Sequence, residues 1–514
     1  MKLSVLAQHM PQDLFRGVGM PSAESDPDIT SISYRSDRVK KGGIFVAIKG
    51  FKNDGHEYID HALSNGASAV ISEKPVPGVP ALEVTDSRKA LALIADTFFG
   101  SPSEKLTIIG VTGTNGKTTT TFLVQSILTE AGFNTGIIST VDYRYNGNIF
   151  TNPMTTPESL DLQNMLADML SSGITHVVLE VSSHAVDLHR ITGCRMDVGV
   201  FTNLSKDHLD FHKNMDAYWT AKKRLFTDHL FSGGAKKTSA VINCNDPRGQ
   251  ELFSLLEHVS KGGPIFSIGA RNGYTVTHKN IRSNIKGVGG TIATPSGDFE
   301  FASHLAGNYN LENILCAVGV GIAVKIPLDA IKAGIESFPG VPGRMERIEN
   351  TKGKFVFVDY AHTPDALENV LKTLRSIVSG KLICVFGCGG DRDRSKRPEM
   401  GKIATRLSDF TIITSDNPRT EEPMSIISDI IDGIEDKSIA EYQKEDDCKG
   451  AVKKGYIVDP DRRSAITLGI QIACPGDTVL IAGKGHETYQ IHGAQTIHFD
   501  DREEAQQALE VNDA

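Results

Sequence analysis

The chain is expected to fold as an α/β protein of three domains, built mostly from parallel sheets covered by helices. Three observations lead there. Apolar, β-branched runs alternate with helical segments along most of the 514 residues. Parallel strands need such crossover helices, and helices on both faces bury the sheet. The length corresponds to about three to four domains at roughly 150 residues each. Two turn-rich joints, "GSPSEK" at 100–105 and "FPGVPGR" at 338–344, interrupt the alternation. They divide the chain into residues 1–106, 107–338 and 339–514.

In the first segment "GGIFVAIKG" reads as a strand between glycine turns. "HEYIDHALSNGASAVISEK" reads as a helix, a stop at Gly66 and a strand, and "RKALALIADTFFG" as a helix closing at Gly100. This is a small α/β domain. In the second segment "LTIIGVTGTNGKTTTTFLVQSILTEAG" gives strand, glycine loop and helix. "THVVLEVSS", "MDVGVFTNL" and "SAVINCND" supply further strands, and glycine-rich short strands near 270–305 suggest an antiparallel insertion. A helix over about 309–324 follows. In the third segment "KFVFVDYAH", "KLICVFGCGG", "FTIITSD" and "DTVLIAGKG" alternate with helices, as in a doubly wound, Rossmann-like domain.

Hydrophobic residues make up 39% and charged residues 23%, with a net charge of -9. This is ordinary for a globular protein and opposes nucleic-acid binding, which favours a basic face. The start, "MKLSVLAQHMPQDLF", is too short and interrupted to be a signal peptide, and no run approaches the about 18 apolar residues of a membrane helix. The seven cysteines, at 194, 244, 316, 384, 388, 448 and 474, have no framework spacing. Reduced thiols and a cytoplasmic address are expected. Cys384 and Cys388 lack a second pair and read as core residues rather than a metal site.

The strongest local signal is "GVTGTNGKTTTT". Gly113 and Gly116 allow backbone N–H groups to approach phosphate oxygens, Lys117 can reach terminal phosphates, and Thr118 can bind Mg²⁺ at a helix start. The strict phosphate-loop pattern wants glycine where Val111 stands, so this is a variant, P-loop ATPase-like loop. Glu180 ends one apolar run and His208 follows another, which in a parallel sheet puts both at the same crevice as the loop. His208 and His212 have helical zinc spacing, but Mg²⁺ with a nucleotide better suits these oxygen-rich surroundings. Lys222 and Lys223 alone read as a solvated helix face. "SDNPRTEEP", 415–423, reads as a stiff turn after a strand.

Taken in order, "TGTNGKTT", "LEVSSHA", "DHLDFH", the "AK" of "AYWTAKKRLF", "GNYNLEN", "PGRME", "DYAHTPDAL" and "GKGHE" resemble the Mur ligase family of peptidoglycan synthesis over nearly the whole chain. The resemblance implies ATP-driven ligation through an acyl phosphate. On that footing residues 1–106 bind a UDP-sugar, 107–338 ATP and 339–514 an amino acid. It implies that Gly113, Thr114, Asn115, Gly116, Lys117, Thr118 and Thr119 surround the phosphates. Asn310 and Asn313 match the family's adenine-side positions, and Arg344, Asp359 and His362 match nucleotide contacts from the third domain. Thr118, Glu180, His208 and a carbamylated Lys222 are implied ligands of two Mg²⁺ ions. Two cations suit a phosphoryl transfer between anions.

For a UDP-MurNAc-dipeptide, the resemblance points to Ser36, Thr155, Thr156, Ser182 and Arg190. Ser36 precedes Asp37-Arg38, where the family usually has Asp-Ser-Arg, and Leu188 stands where some relatives have glutamine. "SDNPRTEEP" with "GCGGDRDRSKRPEM" and "GKGHETYQ" is similar to members that add meso-2,6-diaminopimelate to the D-Glu of UDP-N-acetylmuramoyl-L-Ala-D-Glu. Arg392, Asp416, Asn417, Pro418, Arg419, Gly483 and Glu487 then line the amino-acid pocket. A guanidinium at 419 pairs bidentately with carboxylates, which diaminopimelate has at its far end and lysine lacks. A monomer acting on small molecules, with no nucleic acid or membrane, is expected. The alternatives are a lysine-adding sister enzyme, a folylpolyglutamate-synthase-like ligase, and a nucleotide-binding switch protein that performs no ligation.

Overall fold

The computed structural model describes residues 1–16, 26–51, 53–152, 154–231, 236–260, 262–443 and 454–510. Cys448 lies outside them. The chain forms two compact units. One comprises Met1–Thr277 with Ala293–Gly297 and Glu312–Gly334. The other comprises His278–Ile292, Asp298–Leu311 and the chain from Ile335 onward.

The first unit holds two sheets. The smaller has four parallel strands in the order Ile32–Ser33, Gly43–Val46, Ala67–Ser72 and Ala81–Glu83. Helix Ser87–Phe98 packs on it through Leu91 and Ile94, and the side chain of Asp86 caps the helix by accepting from the Lys89 amide. The larger sheet has eight strands. Six are parallel, in the order Ile265–Ile268, Ser239–Asn243, Val198–Phe201, Thr107–Thr112, His176–Glu180 and Thr135–Ile138. Tyr143–Tyr145 and Asn148–Phe150 extend it as an antiparallel hairpin. Thr107–Thr112 is central, flanked by His176–Glu180 and Val198–Phe201, and all three are buried on both faces. Their carboxyl ends therefore open onto one crevice.

The second unit is organised by a seven-stranded sheet. Six strands are parallel: Phe355–Asp359, Thr478–Ala482, Leu382–Phe386, Phe410–Ile413, Gly455–Val458 and Ala440–Tyr442. Glu346–Ile348 adds an antiparallel edge. The sequence pattern anticipates four of the five inner strands. It misses Gly455–Val458 and the short edges, "ERI" and "AEY", because runs of three or four residues carry too little alternation to be read. Helix Pro364–Ile377 starts at a Thr363 cap with proline at its first position, and it buries Leu367, Leu371 and Leu374. Each such side chain contributes about 1.5–3 kcal/mol. The strands Thr277–Asn284, Gly287–Thr294 and Gly297–Ser303 form a separate three-stranded sheet. Their two-residue connections make neighbouring strands antiparallel, as the glycine-rich segment suggests.

One ion pair in this unit is fully buried. The Arg462 Nε and Nη2 donate to the two Asp501 carboxylate oxygens, each at 2.7 Å, and neither side chain is exposed. Arg462 also donates to the Ser415 carbonyl at 3.2 Å and the Ala482 carbonyl at 3.0 Å. It thus ties the ends of two strands to helix Asp501–Glu510. Replacing Arg462 with alanine strands the Asp501 carboxylate in the interior, and a loss of about 3–5 kcal/mol is expected. Urea unfolding measures it; an unchanged midpoint would show that the clamp contributes nothing.

Candidate functional site

The phosphate-type loop is held from below by the segment that follows Val198–Phe201. Thr202 Oγ1 donates to the Asn115 carbonyl at 2.6 Å, and the Asn115 amide donates to Asn203 Oδ1 at 2.9 Å. The Thr114 amide donates to the Asn203 carbonyl at 2.9 Å, and the Thr114 hydroxyl lies 3.1 Å from that of Tyr218. Two glycines are obligatory here. A Cβ on Gly113 would sit 1.9 Å from Thr202 Oγ1, and one on Gly116, at φ 82°, would sit 2.2 Å from Asn313 Oδ1. Gly116 precedes helix Lys117–Glu130, whose first turn carries the buried Thr118 and half-buried Thr119. The amide dipoles of that turn favour an anion in front of it. Lys117 Nζ donates to the carbonyls of Gly113, at 3.0 Å, and Thr114, at 2.8 Å.

Lys222 departs from the bland reading of a solvated lysine pair. It lies on helix Met215–Arg224 and is 1% exposed. Its Nζ donates to the Gly113 carbonyl at 2.6 Å and sits 4.5 Å from the centre of the Tyr218 ring. Burial, aided by the nearby Lys117 charge and opposed by Asp207, holds its amine well below the usual lysine range.

Glu180 is completely buried. Its carboxylate accepts from the Thr140 amide and hydroxyl, both at 3.0 Å. His208 has a left-handed backbone, φ 53°, and starts the short helix Leu209–His212 with its ring 3.4 Å from Asp207. His212, by contrast, is buried, 2.8 Å from Ser183 Oγ and 3.4 Å from Asp187. His184 joins them, its ring centre 4.9 Å from that of His208 and 5.4 Å from that of His212. The sequence reading did not single out His184, Tyr218 or Asn203. The "SSHA" and "TNLS" stretches directly after two strands were the available signal.

The residues matched to a UDP-sugar peptide form an interlocked set, apart from Ser36. Thr156 Oγ1 donates to the Glu180 carbonyl at 2.8 Å, and the Ser182 amide donates to Thr156 Oγ1 at 3.1 Å. Arg190 donates to the Thr156 carbonyl at 3.1 Å, and Thr155 accepts from Thr140 at 3.0 Å. Ser36 lies elsewhere, 3.0 Å from His61 Nδ1. Asn313 is buried on helix Asn308–Ala323, where Thr120 Oγ1 donates to it at 3.4 Å.

In the second unit, Asn310, on the first turn of that helix, donates to the Ala306 carbonyl at 2.8 Å. Asp359 ends a strand, accepts from the amides of Met345 and Ala361, and is pushed above the usual carboxylate range by burial. Arg344 lies over the Tyr360 ring at 4.6 Å, and His362 Nδ1 is 2.8 Å from the Tyr360 carbonyl.

The turn at 415–423 is a built loop. Asp416, Asn417 and Pro418 are buried, and Arg419, half-buried, has φ 53°. Both ends of the Asn417 amide are engaged: Nδ2 donates to Glu487 at 2.9 Å, and Oδ1 accepts from the Ile491 amide at 3.0 Å. The Arg419 amide donates to the Ile491 carbonyl at 3.0 Å, and its guanidinium donates to the Gly390 carbonyl at 2.8 Å rather than to a carboxylate. Glu487 is raised by burial, with the fully buried Lys484 ammonium 3.4 Å away. Gly483 has φ 118° and leaves room for the Asp416 carboxylate, 2.7 Å from where a Cβ would lie. Arg392 is exposed and donates to the Asp391 carbonyl at 3.1 Å.

Three family models match the chain: the Mur ligase family, catalytic domain at residues 28–99, the Mur ligase middle domain at 111–321, and the Mur ligase, glutamate ligase domain at 343–485. A relative from Geobacter metallireducens is named UDP-N-acetylmuramoyl-L-alanyl-D-glutamate–2,6-diaminopimelate ligase. It is 47% identical over 486 residues, 94% of each chain. One of the same name from Geobacter sulfurreducens is 44% identical over 509 residues, 98% of this chain and 99% of that one. A solved structure of a protein so named aligns over 100% of both chains at 31% identity and a TM-score of 0.70. The MurF ligase from Thermotoga maritima, in complex with ADP, shares the fold at 22% identity and a TM-score of 0.61, over 94% of this chain and 98% of that one.

The loop's own stability has a predictable pH dependence. Arg397, fully buried, forks onto both Glu421 oxygens at 2.8 and 3.0 Å and, with the Asp391 amide, holds that carboxyl at about 2 against an ordinary 4.5. Between those values the unfolded chain binds the extra proton, so stability rises with pH. The contribution is complete above about 4.5 and lost as pH falls towards 2. Acid unfolding of Glu421→Gln should therefore show a shallower pH slope in that window; an identical slope would refute the assignment.

Proposed function

The chain belongs to the Mur ligase family, and we propose that it is the ATP-dependent ligase that joins 2,6-diaminopimelate to the D-Glu of UDP-N-acetylmuramoyl-L-Ala-D-Glu in peptidoglycan synthesis. The full-length likeness to relatives carrying that name carries this reading. ATP use is supported by the phosphate-type loop and by the ADP bound to a structural neighbour. On this reading residues 1–106 take the UDP-sugar, 107–338 the ATP and 339–514 the amino acid, and the enzyme acts as a cytoplasmic monomer. Its buried free thiols at 194, 244, 316, 384 and 388 suit a reducing compartment.

The chemistry is assigned as follows. Gly113, Thr114, Asn115, Gly116, Lys117, Thr118 and Thr119 receive the triphosphate, with Lys117 swinging from its carbonyl partners to the transferred group. A carboxylate oxygen of D-Glu attacks the γ-phosphorus and ADP leaves. The diaminopimelate amine then attacks the acyl carbon, gives up a proton, and inorganic phosphate departs. Asn310, Asn313, Arg344, Asp359 and His362 serve the nucleotide. Ser36, Thr155, Thr156, Ser182 and Arg190 serve the UDP-MurNAc-dipeptide.

Thr118, Glu180, His208 and Lys222 fit Mg²⁺ rather than a metal that needs an all-protein cage. Among the described residues no three His, Cys, Asp or Glu side chains gather as one. Mg²⁺ keeps waters and shares phosphate oxygens, so few protein donors suffice. Lys222 fits the set as a carbamate, because a buried neutral amine can add CO₂ and become an anionic oxygen donor. Two bound Mg²⁺ ions would screen the anions that must meet.

Arg392, Asp416, Asn417, Pro418, Arg419, Gly483 and Glu487 select the amine. Asn417 holds the loop in shape, and Arg419 is the cation for the distal carboxylate of meso-diaminopimelate. Phosphate release is expected with UDP-MurNAc-dipeptide plus diaminopimelate, and far less with lysine. Release independent of any amine would sink the ligase reading. Arg419→Ala should narrow the preference for diaminopimelate over lysine by about ten- to a hundred-fold in kcat/KM; an unchanged ratio would remove Arg419 from the pocket. Lys222→Ala should abolish ligation, while the parent chain, analysed intact and never acidified, should carry the mass of one added CO₂.

A further inference from the structure

Lys484 is a buried amine that the assigned chemistry leaves unused. It lies in the turn between strands Thr478–Ala482 and Tyr489–His492 and has no exposed surface. The Glu487 amide donates to the Lys484 carbonyl at 3.0 Å, so both side chains leave one tight turn. The Lys484 ammonium donates to the Tyr489 carbonyl and, at 3.4 Å, to Glu487 Oε2. Its Nζ also lies 5.4 Å from the centre of the Tyr489 ring. Two acceptors and a ring face thus offset its removal from water.

A second donor reaches the same oxygen from the 415–423 loop, because Asn417 Nδ2 donates to Glu487 Oε2 at 2.9 Å. Both bonds converge on Oε2, and Oε1 accepts none among the described residues. The Glu487 side chain is 18% exposed while that of Lys484 is 0% exposed, so the carboxylate is the accessible member of the pair. The charged or titratable groups around Glu487 are Lys484 on its own turn, Asp416 on the 415–423 loop, Tyr360, Tyr489 and Arg462. Burial raises the Glu487 carboxyl, Lys484 opposes that rise and Asp416 reinforces it. Two neighbouring carboxylates tend to share a proton unless a cation stands beside them.

We propose that Lys484 is a positioning residue of the amine pocket: it ties down one Glu487 oxygen and keeps the group a carboxylate, leaving the other oxygen to receive an ammonium-bearing amino acid. This rests on the diaminopimelate reading, in which Glu487 meets a substrate amine. Lys484 acts through Glu487 and does not touch the substrate.

Lys484→Met removes the charge at nearly equal volume. Thermal unfolding checks that the variant folds, and Lys484→Gln takes its place in every measurement if methionine unfolds the chain. The KM for diaminopimelate should rise about ten-fold or more, with kcat and the KM for ATP little changed. The Glu487 carboxyl can be followed by carbon-13 NMR of the free chain, its signal assigned by its loss in Glu487→Gln. Without the Lys484 charge it should titrate at higher pH than in the parent. In the Glu487→Gln background, Lys484→Met should raise the KM no further. An unmoved Glu487 titration, or an equal KM effect with and without Glu487, would overturn the proposal. The NMR measurement needs no substrate. A parent chain that does not use diaminopimelate therefore refutes the reading, whereas an unmoved titration refutes the role of Lys484.

Discussion

A lysine amine held in the interior sets the terms for the first unit. Lys222 Nζ can meet the Gly113 carbonyl at 2.6 Å only if helix Met215–Arg224 crosses directly behind the phosphate-type loop. That crossing needs the Tyr218 ring beneath the amine, and it brings the Tyr218 hydroxyl to Thr114. The loop in turn keeps its shape because Gly113 and Gly116 have no Cβ and because Thr202 and Asn203 hold it from the neighbouring strand. Thus elements near 202 and 222 converge on the phosphate-type loop, the first through Thr202 and Asn203 and the second through Lys222 and Tyr218. An ordinary ammonium would be expensive in such a place. Burial accordingly pushes the amine well below the usual lysine range.

The second unit follows a similar logic with a charge that stays. Arg462 cannot lose its proton, so burial must be offset by partners, and it has four acceptors. Two of these are the carbonyls that end or follow the strands Phe410–Ile413 and Thr478–Ala482. The loops leaving those strands carry Asp416 to Arg419 on one side and Gly483 to Glu487 on the other. Their mutual bond, Asn417 to Glu487, depends on strand ends that Arg462 keeps at fixed spacing.

Much of this was legible in the chain. The alternation of apolar runs and helices revealed the parallel sheets, and Gly-Lys-Thr after a strand revealed the phosphate-type loop. Glu180 and His208 could be placed because strand ends in a parallel sheet share one edge. What stayed hidden depended on partners distant in sequence. By local pattern alone Lys222 looks like half of a solvated pair, and only the family resemblance singled it out before Gly113 and Tyr218 were seen around it. Arg397 and Arg462 look like surface charges in "RSKRPE" and "DPDRRSA", because nothing local names Glu421 or Asp501. The engagement of the Asn417 amide was equally invisible, since its partners lie about seventy residues further on. Periodicity reports burial of apolar faces and is silent about buried charge.

The backbone at Arg419 carries a further consequence. With φ 53° it occupies the left-handed region, where a side-chain-bearing residue is disfavoured by roughly 1–2 kcal/mol and glycine is at ease. Glycine would relax that turn and erase the guanidinium. The chain thus retains a residue that its own main chain resists, held there by the Arg419 amide on Ile491 and the guanidinium on the Gly390 carbonyl. Stabilising substitutions sought by backbone criteria alone would converge on this position and discard the tie that its guanidinium makes to the Gly390 carbonyl.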